Sequence, residues 1–501
     1  MRGRTAMRAV RAGILAGAAS GLLMTAFFLF SRTAFGTATP SEMFADRSAP
    51  FIPVHLFGIL IGLFHGYTAL KILGFVSVIG GQIAVSCAAG ALYAKRGCRP
   101  REMVAIVTVL WIVSVVAFGQ VLVTSYRGFP PHRAMLWNVT TLFAGYAVFG
   151  IATVYFTSTL MKQRSRDSSR AGFLVGGAAV ASTVLSGVLV RTLVARSVFP
   201  YDGTAYLGAD VREITPNERF YLVTKNSIDP NVSAPSWRLE VAGAVERPAT
   251  YTFDDLQKLR SSAQETTLMC INNDVAGGLM SNALWKGVSL RTLLAAAGAA
   301  EGARRVSLHA ADNYIDTISI AKAMDPATLV AYEMNGEALP QRHGYPVRMI
   351  VPGLFGEKNV KWLTQIVVET AEVKGFYEKQ GWGPQFAIPT HARFDVPDFA
   401  KTIARGSTVA IAGVAFAGDR GVSRVQVSTD DGHSWNDATL ITRYSKITWR
   451  RWRYEWRPPS AGNYRLAVRA FDAQDQPQIA TDRPAETEGV TGLHRVTAHV
   501  G

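Results

Sequence analysis

Cys270 is the residue with the widest choice of chemistry. It lies in the stretch 266–297, TTLMCINNDVAGGLMSNALWKGVSLRTLLAAA, and no cysteine follows it. A thiolate is a soft, strong metal ligand and a nucleophile. A free cysteine is also among the most buried residue types, so core packing is an equal reading. Position alone leaves ligand, nucleophile and core open. Cys87 stands in an apolar run and Cys98 in a basic loop, which argues against a disulfide framework. No zinc-finger spacing, P-loop or GxGxxG occurs. Two cations are unusual: Arg348 and Lys361 are set in the apolar runs HGYPVRMIVPG and NVKWL, where plain surface charge explains them poorly.

These residues have to be positioned by a chain of 501 residues, enough for two or three domains. Hydrophobic residues make up 49% and mean hydropathy is +0.14, which points to a membrane portion. The formal charge of +15 sits largely in short basic clusters beside apolar runs, so it reads as a topology signal and not as nucleic-acid binding. Residues 12–30 are uncharged and long enough to span a bilayer, and without an A-x-A-like cleavage site they predict an anchor. Residues 103–124, 135–160 and 171–190 predict three further spans. Between 51 and 94 the only charged residue is Lys71. The basic segments 1–11, 95–101 and 162–170 all belong in the cytoplasm if 72–94 is one span and 51–70 a partial or in-plane helix. That gives five spans, with everything after residue 196 outside the plasma membrane. A six-span layout is the rival and breaks the charge rule. Ser169-Arg-Ala-Gly-Phe-Leu174 looks like a twin-arginine signal lacking its second arginine, with an ordinary basic flank as the alternative. His55 and His65 would be the ligands of a haem b. Ten residues apart on one segment, they read first as interfacial histidines. Gly58, Gly62, Gly80 and Gly81 are expected to serve close helix packing.

Residues 197–216 read as a linker. Ser236 to Pro248 alternates into a strand and turn, and Thr252 before Asp254-Asp255 is a helix start. Short strands and helices alternate irregularly to about 375, an α+β pattern. From about 385 the runs 409–416, 422–428 and 464–472 alternate at period two between turn signals, which predicts a β-sandwich. Trp435, Trp449, Trp452 and Trp456 are expected in core and domain contacts. The predicted domains are a multi-helix membrane domain (1–196), an α+β domain (197–380) and an immunoglobulin-like β-sandwich (381–501).

Cys270-Ile-Asn-Asn, Gly277-Gly278 and the run Ser281-Asn-Ala-Leu-Trp-Lys-Gly-Val-Ser-Leu290 are similar to the metal-ligand segment of the sulfite oxidase family of molybdopterin enzymes. AYEMNG (331–336), HGYPVR (343–348) and VKWL (360–363) occur in the family's order. The resemblance covers about residues 215–500. It implies a molybdenum–molybdopterin cofactor with Cys270 as metal ligand, in an oxidoreductase that transfers oxygen atoms. Asn226, Asp312, His343, Arg348, Asn359, Val360 and Lys361 fall at cofactor-contact positions. Arg, Lys and backbone amides suit a pterin phosphate, and planar polar groups suit a heterocycle edge. Tyr314 falls where the family places a tyrosine beside the metal.

Departures bear on substrate. The family's Ala-Gly-Asn-Arg-Arg after the cysteine reads Ile271-Asn-Asn-Asp274-Val275, and its Arg-Asn-His reads Lys225-Asn226-Ser227. A small dianion needs convergent positive charge, so a substrate less anionic than sulfite is expected. The resemblance also implies an electron carrier, quinone or cytochrome, and dimerisation through the sandwich. The competing reading is a membrane-tethered binding or structural protein that keeps the fold without catalysis.

Overall fold

The computed structural model describes residues 2–63, 67–162, 168–197, 212–226, 228–483 and 488–501. The N-terminal domain comprises α1 (Arg2–Phe35), α2 (Pro40–Ser48), α3 (Val54–Leu63), α4 (Tyr67–Lys95), α5 (Pro100–Phe118), α6 (Pro131–Met161) and α7 (Ser168–Ser197). Five of these contain stretches long and apolar enough to cross a membrane: 7–35, 70–95, 100–121, 131–161 and 170–195. Helix α1 is the centre of the bundle and packs on α4, α6 and α7. Its contact with α4 uses small residues. A Cβ on Gly17 would lie 2.3 Å from the Ser86 carbonyl oxygen, and one on Gly90 2.1 Å from that of Gly13. Gly80 and Gly81 do not have the expected packing role. A Cβ on either meets nothing within 4 Å, because α4 presents Ser86, Cys87 and Gly90 to α1. Helix α2 starts at Thr39, whose hydroxyl accepts from the Glu42 amide while the Glu42 carboxylate accepts from the Thr39 amide, a reciprocal cap. Buried Glu42 also pairs with Arg32 of α1 at 2.9 Å. His55 on α3 is exposed; His65 lies outside the described residues.

The α+β domain contains two five-stranded sheets. In the first, Leu239–Gly243 runs parallel to Leu363–Glu369, which pairs antiparallel with Arg305–Ala310 and through it with Ile315–Ser319. In the second, Ser262–Met269 pairs with Met280–Ser289, which pairs with Leu329–Met334. Helix Leu290–Ala297 buries Leu290, Leu293, Leu294 and Ala297, a single 3.6-period stripe, against this core. It ends at Gly298 with φ +68°, the left-handed stop that glycine accommodates. The expected helix after Thr252 runs Phe253–Lys258 with a reciprocal cap to Asp255.

The C-terminal domain is a sandwich of two four-stranded antiparallel sheets. Val409–Phe416, Val422–Ser428 and Gly462–Asp472 are strands, as the alternation predicts. Ile411, Val425, Val427, Trp452, Leu466 and Val468 share its core. Trp449 seals the junction with the α+β domain: its amide donates to Thr267 Oγ1 at 2.8 Å and its indole to the Glu213 carbonyl at 3.0 Å. The described end of the expected linker is therefore tied down. Thr215 is buried, and its amide donates to the Asn282 carbonyl at 2.8 Å.

Candidate active site

Strand Ser262–Met269 ends at Cys270, which is buried against the segment that carries Gly356. The Cys270 amide donates to the Leu279 carbonyl at 2.9 Å, closing the loop behind it. The thiol is buried, and burial together with the neighbouring Glu357 carboxyl pushes it up to about 12. Gly356 lets the opposite wall approach: a Cβ there would stand 2.6 Å from the Tyr221 hydroxyl and 3.7 Å from the Cys270 Cα. Glu357 is raised by burial to about 8, and its Oε1 is enclosed with no hydrogen-bond partner among the described residues. Tyr314 reaches the same place. Its hydroxyl is 2.7 Å from Asp316 Oδ2 and 3.1 Å from the Glu357 carbonyl, and burial holds it well above its ordinary range. Lys358 lies 2.6 Å from Asp316 and 3.3 Å from Glu378, so its charge is consumed within the wall.

The segment 356–361 runs from this thiol to a cationic cluster. There Lys361 Nζ donates to the carbonyls of Val223 (3.1 Å) and Arg342 (3.4 Å), and burial lowers it to about 8. Asn226 Nδ2 donates to Asp312 Oδ2 at 2.7 Å, and Lys225 Nζ donates to the Asp312 carbonyl at 2.9 Å. His343 Nε2 lies 2.7 Å from the Asn217 carbonyl, so Nε2 carries the hydrogen and Nδ1 is the acceptor. Burial lowers it to about 3, which keeps the ring neutral. Arg348 donates to the carbonyls of His343 (3.0 Å) and Asn359 (3.1 Å) and lies over the Trp285 ring.

Thus Asn226, Asp312, His343, Arg348 and Lys361 gather at one end, and Cys270 and Tyr314 meet around Glu357 at the other. Asn359 and Val360 serve differently: Asn359 Oδ1 accepts from the Val351 amide at 2.7 Å, and Val360 is core. Their contribution to a ligand is confined to backbone. Ser281, where the family pattern has glycine, is buried, and its Oγ accepts from the Tyr221 amide at 3.1 Å. Sequence reasoning missed Glu357, Lys358 and Asp316, and it missed Asp46, whose carboxylate is 2.6 Å from Lys225. It also passed over Lys71. The signal for Lys71 was present, as the one charge in the apolar segment 51–94.

The donor set fits a metal held mostly by a cofactor. Among the described residues no three His, Cys, Asp or Glu side chains cluster as a metal site. One buried thiol would therefore need its companion ligands from a bound group, and the cationic cluster around Lys361 suits that group's phosphate.

Comparison with known proteins agrees with this geometry. Residues 226–377 match the oxidoreductase molybdopterin binding domain, and residues 390–491 match the Mo-co oxidoreductase dimerisation domain. The chain is 33% identical over 342 residues to mitochondrial sulfite oxidase of Rattus norvegicus, covering 57% of this chain and 62% of the relative. It is 31% identical over 327 residues to an NADH nitrate reductase of Cichorium intybus, covering 52% of this chain and 35% of the relative. The chain thus spans less than two thirds of the length of these curated relatives. Among solved structures it shares the fold of the sulfane dehydrogenase SoxCD from Paracoccus pantotrophus, with TM-score 0.54 and 23% identity over 58% of this chain and 85% of that one. With the Cys270 loop, the cationic cluster and both domain matches in place, the chain belongs to the sulfite oxidase family of molybdopterin-dependent oxidoreductases.

Proposed function

We propose that this chain is a membrane-anchored molybdenum–molybdopterin oxidoreductase that transfers an oxygen atom to or from its substrate, with its catalytic domain outside the cytoplasm. The observation that carries the reading is a buried thiol and a largely buried cationic cluster joined by the one segment 356–361. When bound, the cofactor supplies a metal able to change oxidation state, chemistry that no side chain here provides. Cys270 would hold that metal, and its buried thiol keeps its proton at neutral pH in the protein alone. Tyr314, bonded to Asp316, and Glu357 hold protons at the same end. Lys361, Asn226 and the amides around Asn359 hold the pterin and its phosphate.

The substrate is less anionic than sulfite. Asp274 is exposed, and Asn273 Oδ1 is occupied by the Leu279 amide at 2.7 Å. Lys358 is spent on Asp316, and Arg393 on Asp395 and the Gly277 carbonyl. Each missing charged hydrogen bond weakens a bound dianion by roughly 1.5–3 kcal/mol.

The five-span layout with a cytoplasmic N-terminus gains support from where the domains meet. Arg32, Asp46, Ala49, Lys71 and the segment Ser125–Arg127 bond to the α+β domain. All lie at span ends opposite the basic segments 95–101 and 162–170. Electrons pass to or from a quinone or a cytochrome, and the sandwich, read as an immunoglobulin-like module, forms a homodimer.

Molybdenum and pterin analysis of purified protein, followed by a redox-dye substrate screen, tests the proposal. A metal-free protein from a molybdenum-replete host contradicts the enzyme reading, and efficient sulfite oxidation contradicts the substrate reading.

A further inference from the structure

We propose that the membrane domain completes the cofactor site, with Lys71 of α4 as a positioning residue for the loop that carries Asn226. The inference rests on the molybdopterin reading and extends it to a part of the chain that lies outside both family domains.

Three charged side chains of the membrane domain grip the catalytic segment around Asn226. Lys71 Nζ donates to the carbonyls of Thr224 at 2.6 Å and Asn226 at 2.7 Å. Arg32, buried and stacked on Tyr126, donates to the carbonyls of Ile228 and Asp229, both at 3.2 Å. Asp46 takes Lys225 Nζ at 2.6 Å, and the same amine reaches Asn226 Oδ1 at 3.2 Å and the Asp312 carbonyl at 2.9 Å. The backbone orientation of Asn226 and the direction of Lys225 are thereby set by groups that α1, α2 and α4 bring from the membrane side. A planar amide recognises a heterocycle edge only in a fixed orientation.

Charge points the same way. Lys71 is within electrostatic reach of Lys225, Lys361 and Asp229, and Lys361 within reach of Arg342, Arg348, Asp229 and Asp312. With Arg32 and its partner Glu42 counted, six cations therefore face the four carboxylates Glu42, Asp46, Asp229 and Asp312. Gathering ammonium groups in a low-dielectric junction is unfavourable unless negative charge joins them. A phosphate monoester, close to a dianion at neutral pH, supplies that charge. An interface selected only to join two domains has no need of a surplus of cations gathered around one loop.

The test uses the full chain purified in detergent, with molybdenum and released pterin measured per polypeptide. Lys71→Met and the milder Lys71→Gln should lose cofactor about ten-fold faster than wild type on dilution, the effect of one charged hydrogen bond. Lys71→Arg should restore most of the retention. Gln380→Ala removes another bond across the domain junction, from Gln380 Nε2 to the Ala49 carbonyl at 2.9 Å, and should retain cofactor as wild type does. Wild-type retention in Lys71→Gln overturns the inference, as does equal loss in Gln380→Ala, which would mark a general loosening of the junction. If Lys71→Met does not fold, Lys71→Gln decides. Wild-type protein without molybdenum and pterin would instead overturn the cofactor reading itself.

Discussion

Two ion pairs in this chain share a 2.6 Å separation and differ in burial. Lys358 and Asp316 are 3% and 1% exposed, whereas Arg453 and Glu455 are 54% and 52% exposed. Replacing Lys358 by Met keeps the aliphatic stem over the Phe386 ring, 3.8 Å from Nζ. It leaves Asp316 with the Tyr314 hydroxyl and the Thr317 amide as its remaining partners. Breaking one side of a buried pair costs about 3–5 kcal/mol, and breaking an exposed pair about 1 kcal/mol or less. For a domain of this size 1 kcal/mol moves the melting midpoint by about 2–4 °C. Lys358→Met should therefore lower it by roughly 6–20 °C, and Arg453→Met by no more than about 4 °C. Adding Asp316→Asn to Lys358→Met removes the stranded charge and should recover most of the loss. The assay is thermal unfolding of the full chain in detergent, followed by tryptophan fluorescence. If Lys358→Met melts within about 2 °C of wild type, or if the double variant is no better than the single, buried charge does not bind the Tyr314 strand to the 356–361 wall.

Two further outcomes follow from the packing. His391 is held by burial at about 4, so the unfolded chain, titrating near 6.5, takes up that proton first. Its contribution to stability is present above 6.5 and is lost as pH falls toward 4. Between pH 7 and 4.5 wild type should lose about 2–3 kcal/mol more than His391→Gln, and equal drops in melting midpoint would contradict this. Trp449→Ala empties a buried site and removes one of the two donors to the Glu213 carbonyl, leaving only Asn282 Nδ2 at 2.9 Å. It should cost about 3–5 kcal/mol and open residues 213–215 to protease in the native protein; an unchanged melt and digest would refute the sealing role.

The strand 422–428 was legible because one face is buried, which imposes period two on the residues; 409–416 keeps the β-rich run although Ile411 and Ala415 enter the sandwich core and Val414 and Phe416 pack towards the α+β domain. The helix at 253 was legible because its cap is written in neighbouring residues, Thr252 and Asp255. Cys270 and Lys361 were proposed as site residues through motifs whose parts lie close together in the chain. Asp46 and Lys71 were not. Each meets the site across more than 150 residues, by contacts that have no local pattern. Glu357 and Lys358 stand just before the run NVKWL, but their roles depend on Asp316 and Cys270 arriving from other strands. Arg348, read as a phosphate ligand, spends N–H groups on the carbonyls of His343 and Asn359, so its visible role is to hold those two segments together. Gly80 and Gly81 were read as packing residues because composition does not say which face of α4 meets α1.

The central claim is that Cys270 ligates the molybdenum. X-ray absorption at the molybdenum edge, on wild type and Cys270→Ser prepared identically, tests it most directly. The account predicts one fewer sulfur neighbour in the variant, with pterin still present. An unchanged sulfur count, or wild-type protein with no molybdenum, would contradict it.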